Sequence, residues 1–506
     1  MRLVGFVLAA LTTVATGMPT AGGGPGKPEG SRAGLASACG LPSRQLARIR
    51  AGFRPGRSGD VQFVPRPRNY VDERSHSGPW GYLQRVPLLF YGPGRVSATG
   101  TIRRRVTLRD VAPTLAAHLG VDPSRFGGGP LAEVPADGDP PRMVAVVVWD
   151  GGGRIVLREH PQTWPNLRRL RRRGVWFTRA TVGSSPSVSP AVHASLTTGL
   201  PPARHGLVDM VLRRRGETVD VRDDPRLLLV PTLADVLDAR LDNRPVAALV
   251  GHPLIVGFLG TGSAAGPDAD RDIAVIEDDD GWGPPVGGAG LFRFPAYLHR
   301  TAGIDGGAID PSARPRFADF QTETVGRLLR REGIGRDAVP DLLLVNYNQI
   351  NEVGHHRGMH GPHMAAAVRS SDRALGDLVR LFDGRVGRGN WLLVLTADHG
   401  STPDASATGS FRIDSEELAR DLRGAFDRDG DGVSAIASIR VTQLWLRDAE
   451  LAERGLDAED VGRFLRDYTE AENHPDGDDE PVFSAAFPSD VLGSAPAMCR
   501  GGDTRE

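Results

Sequence analysis

Three short, strongly apolar runs that each lead into metal-binding residue types constrain this chain most. Arg142-Met-Val-Ala-Val-Val-Val-Trp149 delivers Asp150, and Trp391-Leu-Leu-Val-Leu-Thr-Ala397 delivers Asp398-His399-Gly400. Asp341-Leu-Leu-Leu-Val-Asn-Tyr347 leads to Asn351-Glu-Val-Gly-His355. Apolar runs of this length without alternation read as parallel strands buried on both faces. Open α/β sheets carry their sites outside the carboxyl ends of such strands. Oxygen and imidazole ligands at three of those ends predict one metal centre assembled from distant sequence, and hence an enzyme.

Helical patterns separate the runs, notably residues 164–173 and 364–382. Alternation of strand and helix predicts a doubly wound α/β sheet with helices on both faces. Residues 208–335 change texture, with many Gly, Pro and Asp, and read as a cap insertion facing substrate. The catalytic core is then expected over 55–134, 143–207 and 336–500.

The N-terminus has the layout of a secretory signal: Arg2, a short apolar stretch to Thr16, then small residues to Ala21. Residues 1–21 are therefore expected to be a signal peptide and 22–54 a flexible leader, which implies a secreted or extracytoplasmic protein; without that signal it would be cytoplasmic. Cys39 and Cys499, the two cysteines, stand near opposite ends of the 506 residues. They could pair in an oxidising compartment, or remain two free thiols. With 61 basic and 62 acidic residues, the net charge of −1 gives no global field toward nucleic acid or membrane. Arg168 to Arg173 and Arg213 to Arg215 read as solvated helix faces. The stretch Asp427-Arg-Asp-Gly-Asp-Gly432 imitates a calcium loop, but Ser438 stands where loop position twelve needs a carboxylate, so it reads as a solvated turn.

A second signal is Ser189-Pro190-Ala-Val-His193-Ala-Ser-Leu-Thr-Thr-Gly199. Ser189 suits a helix N-cap, Pro190 the first helical position and Gly199 the stop. A hydroxyl at a helix N-terminus also lies where backbone N–H groups attract phosphate. Beside a cation it becomes a nucleophile without a dedicated base.

In order, Asp150-Gly-Gly, Ser189 with His193 and Thr198-Gly199, His205-Gly206, Asn351…His355 and Asp398-His399-Gly400 resemble the alkaline phosphatase superfamily, closest to its type I phosphodiesterase/nucleotide pyrophosphatase branch. The resemblance implies two metal ions, usually zinc. One would be held by Asp150, Ser189, Asp398 and His399, the other by Asn351, His355 and a further histidine. It also implies a small phosphate ester or nucleotide as substrate. After His399 only His474 follows, in a loop-like context. Ser58 to Val64, Ser75-His76 to Tyr82 and Val86 to Gly94 instead resemble the branch's C-terminal portion, so the chain looks circularly permuted, with His76 as the sixth ligand and His474 the alternative.

Two positions depart from the family. Asn351 replaces an Asp, removing a negative charge from the second metal's shell, and Met210 stands where an Asn helps hold a phosphoryl oxygen. A sulfatase reading lacks the required Arg after Ser189-Pro190. The expected activity is hydrolysis of phosphoric esters through phospho-Ser189, with diesters or nucleotide pyrophosphate bonds favoured. The alternatives are a phosphomonoesterase or phosphonate hydrolase, or a binding protein that keeps the fold with weakened catalysis.

Overall fold

The computed structural model describes residues 30–260, 271–278, 281–285, 291–298, 317–427 and 433–499. The expected signal peptide lies outside them, as does most of the calcium-loop-like turn.

A mixed sheet organises the molecule. Its strands, in chain order, are β1 (Leu88–Tyr91), β2 (Gly100–Thr107), β3 (Met143–Trp149), β4 (Val175–Thr181), β5 (Ala247–Gly251), β6 (Ile273–Asp278), β7 (Gly281–Gly283), β8 (Asp341–Tyr347) and β9 (Trp391–Thr396). Their spatial order is β7-β6-β5-β8-β3-β9-β1-β4-β2. β6, β5, β8, β3 and β9 run parallel, whereas β1 is antiparallel to both β9 and β4. The three apolar runs are thus adjacent at the centre, fully buried, as their lack of alternation requires.

Side chains of β3 alternate between two cores. Val144, Val146 and Val148 pack with Leu115, Val192 and Leu196 on one face. Met143, Ala145 and Val147 pack with Leu167, Leu328, Leu375 and Val379 on the other. The helices Val111–His118 and Ser189–Thr198 therefore cover one side, and Pro165–Arg171, Phe317–Arg331 and Pro362–Phe382 the other. This is the doubly wound arrangement expected.

The segment expected as a cap differs from that reading. Within it, β5, β6 and β7 extend the central sheet, with Leu342 of β8 opposite Ala247 of β5. Gly and Pro around these short strands masked a buried run, Val246 to Val250, of the same kind as the other three.

The expected flexible leader also differs. From residue 30 it forms the helices Gly30–Gly40 and Ser43–Gly52. Leu46 and Ile49 are buried against Val64, Phe487, Val491 and Leu492, which supplies the apolar burial a flexible segment lacks. Cys39 and Cys499 form a disulfide, with Cα atoms 5.1 Å apart.

The later part of the chain builds a second, four-stranded antiparallel sheet in the order Ile436–Ile439, Gln443–Leu446, Val61–Pro65, Phe483–Pro488. Val61 and Phe63 pack there with Leu418, Leu422, Val461 and Leu465. Residues from both ends of the sequence thus share one core, and β1 from the N-terminal part sits inside the main sheet. Among the described residues, no helix is long and apolar enough to cross a membrane.

Candidate metal centre and nucleophile

Register brings the ligands together. Trp149 of β3 lies opposite Tyr347 of β8, and Val148 lies opposite Thr396 of β9. The chain therefore leaves all three strands at one level, and Asp150 and Asp398 emerge side by side. Close approach of the two turns needs glycine: a Cβ on Gly153 would lie 2.4 Å from Cα of Gly400. The N–H of Gly151, at φ +69°, donates to Asp398 Oδ1 at 3.1 Å.

Asp150 is fully buried. Its Oδ2 accepts from Asn346 Nδ2 (2.9 Å), His252 Nε2 (3.1 Å) and, at longer range, Ser189 Oγ (3.4 Å). Its Oδ1 has no hydrogen-bond partner, and neither do the buried Asp398 Oδ2 and His399 Nε2. These three atoms nevertheless converge. His399 Nε2 lies 3.1 Å from Asp150 Oδ1 and 3.5 Å from Asp398 Oδ2. Nδ1 of His399 donates to Gly400 O at 2.7 Å, so Nε2 is the nitrogen that, once deprotonated, offers a lone pair toward the two carboxylates. Buried acceptors without donors are costly. Three that face one point fit a cation.

The electrostatics follow from the crowding of charge. Burial and the neighbouring Asp150 push the Asp398 carboxyl up to about 7. Burial alone would raise Asp150 too, but the His252 hydrogen bond and the nearby His399 win and hold it well below the usual carboxylate range. Burial would lower His399; the Asp398 and Asp150 carboxylates overcome it and raise the imidazole to about 9. The site thus carries a surplus of buried negative charge that takes up protons when no cation is bound.

Ser189 is buried and begins the helix Ser189–Thr198, one position later than an N-cap; Val188, in extended conformation, holds the cap position without a side-chain bond. Gly199 ends the helix at φ +66°, as expected. His193, one turn on, donates from Nδ1 to the Ser189 carbonyl at 2.8 Å and accepts at Nε2 from Asn346 Nδ2 at 3.0 Å. Asp150, His193 and Asp398 bring one ligand atom each within 4.8 Å of one another. Because both ring nitrogens of His193 already have partners, His399 is the better ligand and His193 a group that orients the Ser189 turn. Burial lowers His193 to about 4, so it is neutral at pH 7.

A second group adjoins the first. The His76 ring stacks on His399, with centroids 3.4 Å apart, and lies 5.1 Å from the His355 ring. His76 Nδ1 is buried without a partner. Its burial and the neighbouring His399 and His355 hold its pKa well below the usual value, leaving a neutral imidazole able to bind metal. His355 donates from Nδ1 to Glu73 O at 2.7 Å. Asn351 is half-buried, packs against Gly151 and donates to Asn348 Oδ1 at 3.3 Å. His474 is absent from this group: it sits half-exposed beside Asp476 in the loop after Asn473.

The structure brings together Asp150, Ser189, Asp398, His399, His76 and His355, with Asn351 against the same glycine turn. Sequence reasoning missed His252 and Asn346, which hold Asp150 Oδ2. His252 follows β5 directly, so the signal was a fourth apolar run ending in an imidazole, hidden by its Gly-rich surroundings.

The sequence profile of the type I phosphodiesterase / nucleotide pyrophosphatase family matches residues 144–491. The chain belongs to this family. It is 27% identical over 148 residues to the alkaline phosphatase PafA of Elizabethkingia meningoseptica, a stretch covering 28% of this chain and 26% of that protein. It is 31% identical over 91 residues to the alkaline phosphatase PhoV of Synechococcus elongatus, covering 18% and 16% respectively. These matched stretches span about a quarter or less of those relatives. The crystal structure of PafA superposes with a TM-score of 0.51 at 17% identity, covering 65% of this chain and 77% of that one. The fold is that of the alkaline phosphatase superfamily. Residues before 144, including His76 and β1, lie outside the family match.

Proposed function

We propose that this protein hydrolyses phosphoric esters through a phosphoserine intermediate on Ser189, at a centre for two divalent cations. The observation that carries the reading is the convergence of Asp150 Oδ1, Asp398 Oδ2 and His399 Nε2, all buried and unpartnered, beside the Ser189 hydroxyl. Asp150, Ser189, Asp398 and His399 would hold one ion, and His76, His355 and Asn351 the other. Zinc best matches such a set of imidazoles and carboxylates. When bound, the cations supply Lewis acidity that lowers the pKa of the serine hydroxyl and offsets charge on phosphoryl oxygens.

The chain's own groups do the rest. Ser189 Oγ forms the bond to phosphorus as the bond to the leaving alkoxide breaks in line. A water then attacks the phosphoserine, the P–Oγ bond breaks and Ser189 is regenerated. Asn346 and His252 fix Asp150 through Oδ2, keeping Oδ1 directed at the metal side. His193 fixes the backbone at Ser189. Glu73 O fixes the tautomer of His355.

Family membership favours diesters or nucleotide pyrophosphate bonds as substrates. A second reading, phosphomonoester hydrolysis, is favoured by the names of the two curated relatives, both alkaline phosphatases. Turnover of nitrophenyl phosphate, a bis-nitrophenyl diester and a nucleotide ester after chelator stripping and reloading with zinc, manganese or calcium tests both. Diester turnover restored by zinc is expected; no ester turnover with any metal would leave only the binding-protein reading. We also propose export, supported by the Cys39–Cys499 disulfide, since such bonds persist in oxidising compartments. Circular permutation is proposed on the same footing. It is supported by His76 reaching the centre from a segment outside the family match.

A further inference from the structure

The helix Gln349–Arg357 carries two of the groups proposed for the second cation, Asn351 and His355, one turn apart and so on one face. Asn348 stands at its N-cap position, where an Asn side chain usually accepts from a backbone N–H of the first turn. Here it makes no such bond. Its amide is committed along the helix instead. Nδ2 donates to Glu352 Oε1 at 3.0 Å, and Oδ1 accepts from Asn351 Nδ2 at 3.3 Å. Asn348 is buried, whereas Asn351 and Glu352 are half-buried.

Two amides in series with a carboxylate have one self-consistent orientation. An ionised carboxylate only accepts, so Asn348 must turn its NH2 group toward Glu352. Its oxygen then faces Asn351, which must answer with its own NH2 group. The oxygen of Asn351 is thereby left as the uncommitted end of that side chain; among the described residues no donor reaches it. Glu352 is held from its other side as well. Its Oε2 lies 3.6 Å from His356 Nε2, and Nδ1 of the same ring lies 3.7 Å from Glu73 Oε2.

We infer that Glu352 and Asn348 are positioning residues that set the amide of Asn351 oxygen-first for a divalent cation, an inference that rests on the two-cation reading of the site. A carboxylate at position 351 would need no such device, because its two oxygens are equivalent and either can ligate. An amide has one end that ligates and one that repels a cation, so its orientation decides whether it binds. The relay also substitutes for the negative charge that position 351 lacks. Glu352 pulls on the N–H of Asn348, and hydrogen bonds in series polarise one another. Asn351 Oδ1 is thereby a stronger electron-pair donor than an isolated amide oxygen. Partners behind a ligand commonly orient it and raise its basicity in this way.

Graded withdrawal of zinc from the loaded full-length protein by a competing chelator tests it. The wild type should release two zinc ions per chain, the weaker from the site with no carboxylate among its ligands. In Asn348→Ala the weaker affinity should fall by roughly 10–100-fold with the tighter one unchanged. The lost side chain caps nothing, so the helix start is kept. Glu352→Gln, a change at a half-buried position, should move the same affinity in the same direction. In an Asn351→Asp background most of the cost of Asn348→Ala should vanish, since a carboxylate needs no orienting. An unchanged weaker affinity in either single variant would overturn the inference. So would an equal fall of both affinities, the mark of general loosening, or an undiminished fall in the Asn351→Asp background. Fewer than two zinc ions on the wild type would instead overturn the two-cation reading, and this inference with it.

Discussion

Asp150 divides its two oxygens between support and ligation, and the residues around it make that division testable. His252 and Asn346 hold Oδ2, while Oδ1 faces His399. Replacing His252 with Ala removes one of the two short bonds that orient the carboxylate. Metal affinity or turnover should fall by roughly 10–100-fold, the usual effect of losing such a partner, and His252→Gln should recover part of it. A competition titration with a zinc-binding dye reads the change. His76→Ala should lose metal and activity, whereas His474→Ala, half-exposed beside Asp476, should leave both unchanged in the same assay. A reversed outcome would exclude His76 as a ligand. Asn351→Asp adds a carboxylate on the side of His355. It should tighten the second metal and raise activity when metal is scarce, since ligand charge tunes such sites; an unchanged metal titration would mean that position 351 does not ligate.

At the scale of elements, legibility followed burial. The three central strands could be read because β3, β8 and β9 are buried on both faces and so are mainly apolar, with Asp341, Asn346 and Thr396 at or next to their ends. The helix 364–382 could be read because one face packs on the sheet and the other meets water; the structure starts it at Pro362. β5 escaped because five buried residues amid Gly and Pro give little pattern. The second sheet escaped because strands such as Gln443–Leu446 are four residues long and find partners in Val61–Pro65, nearly 400 residues away in sequence. The N-terminal helices escaped because their burial depends on Phe487 and Leu492 from the opposite end. Within the site, Asp150, Ser189, Asp398 and His399 were legible because their neighbours are local motifs. His252 was not, since its role depends on a strand pairing. The Cys39–Cys499 bond ties the first helix to the last across 460 residues. Replacing both cysteines with Ser should cost about 2–4 kcal/mol in denaturant unfolding, and adding reductant should destabilise the wild type but leave the variant unaffected.

For the whole molecule, the register of the parallel central strands collects the buried carboxylates Asp150 and Asp398 at one end of the sheet. Asp398 titrates at about 7 and His399 at about 9 without metal. Both must lose their protons to ligate, so metal binding displaces protons, and apparent affinity should rise with pH from 5 to 9. Metal competition measured across that range checks this; affinity that falls or stays flat would contradict the ligand set. The most direct test of the central claim is turnover of the best ester by Ser189→Ala, measured beside its metal content. The account predicts loss of turnover by at least about a thousandfold, the scale of removing an essential nucleophile, with metal and fold retained. Chelator-sensitive turnover within about tenfold of wild type would contradict it, because hydrolysis would then proceed without Ser189.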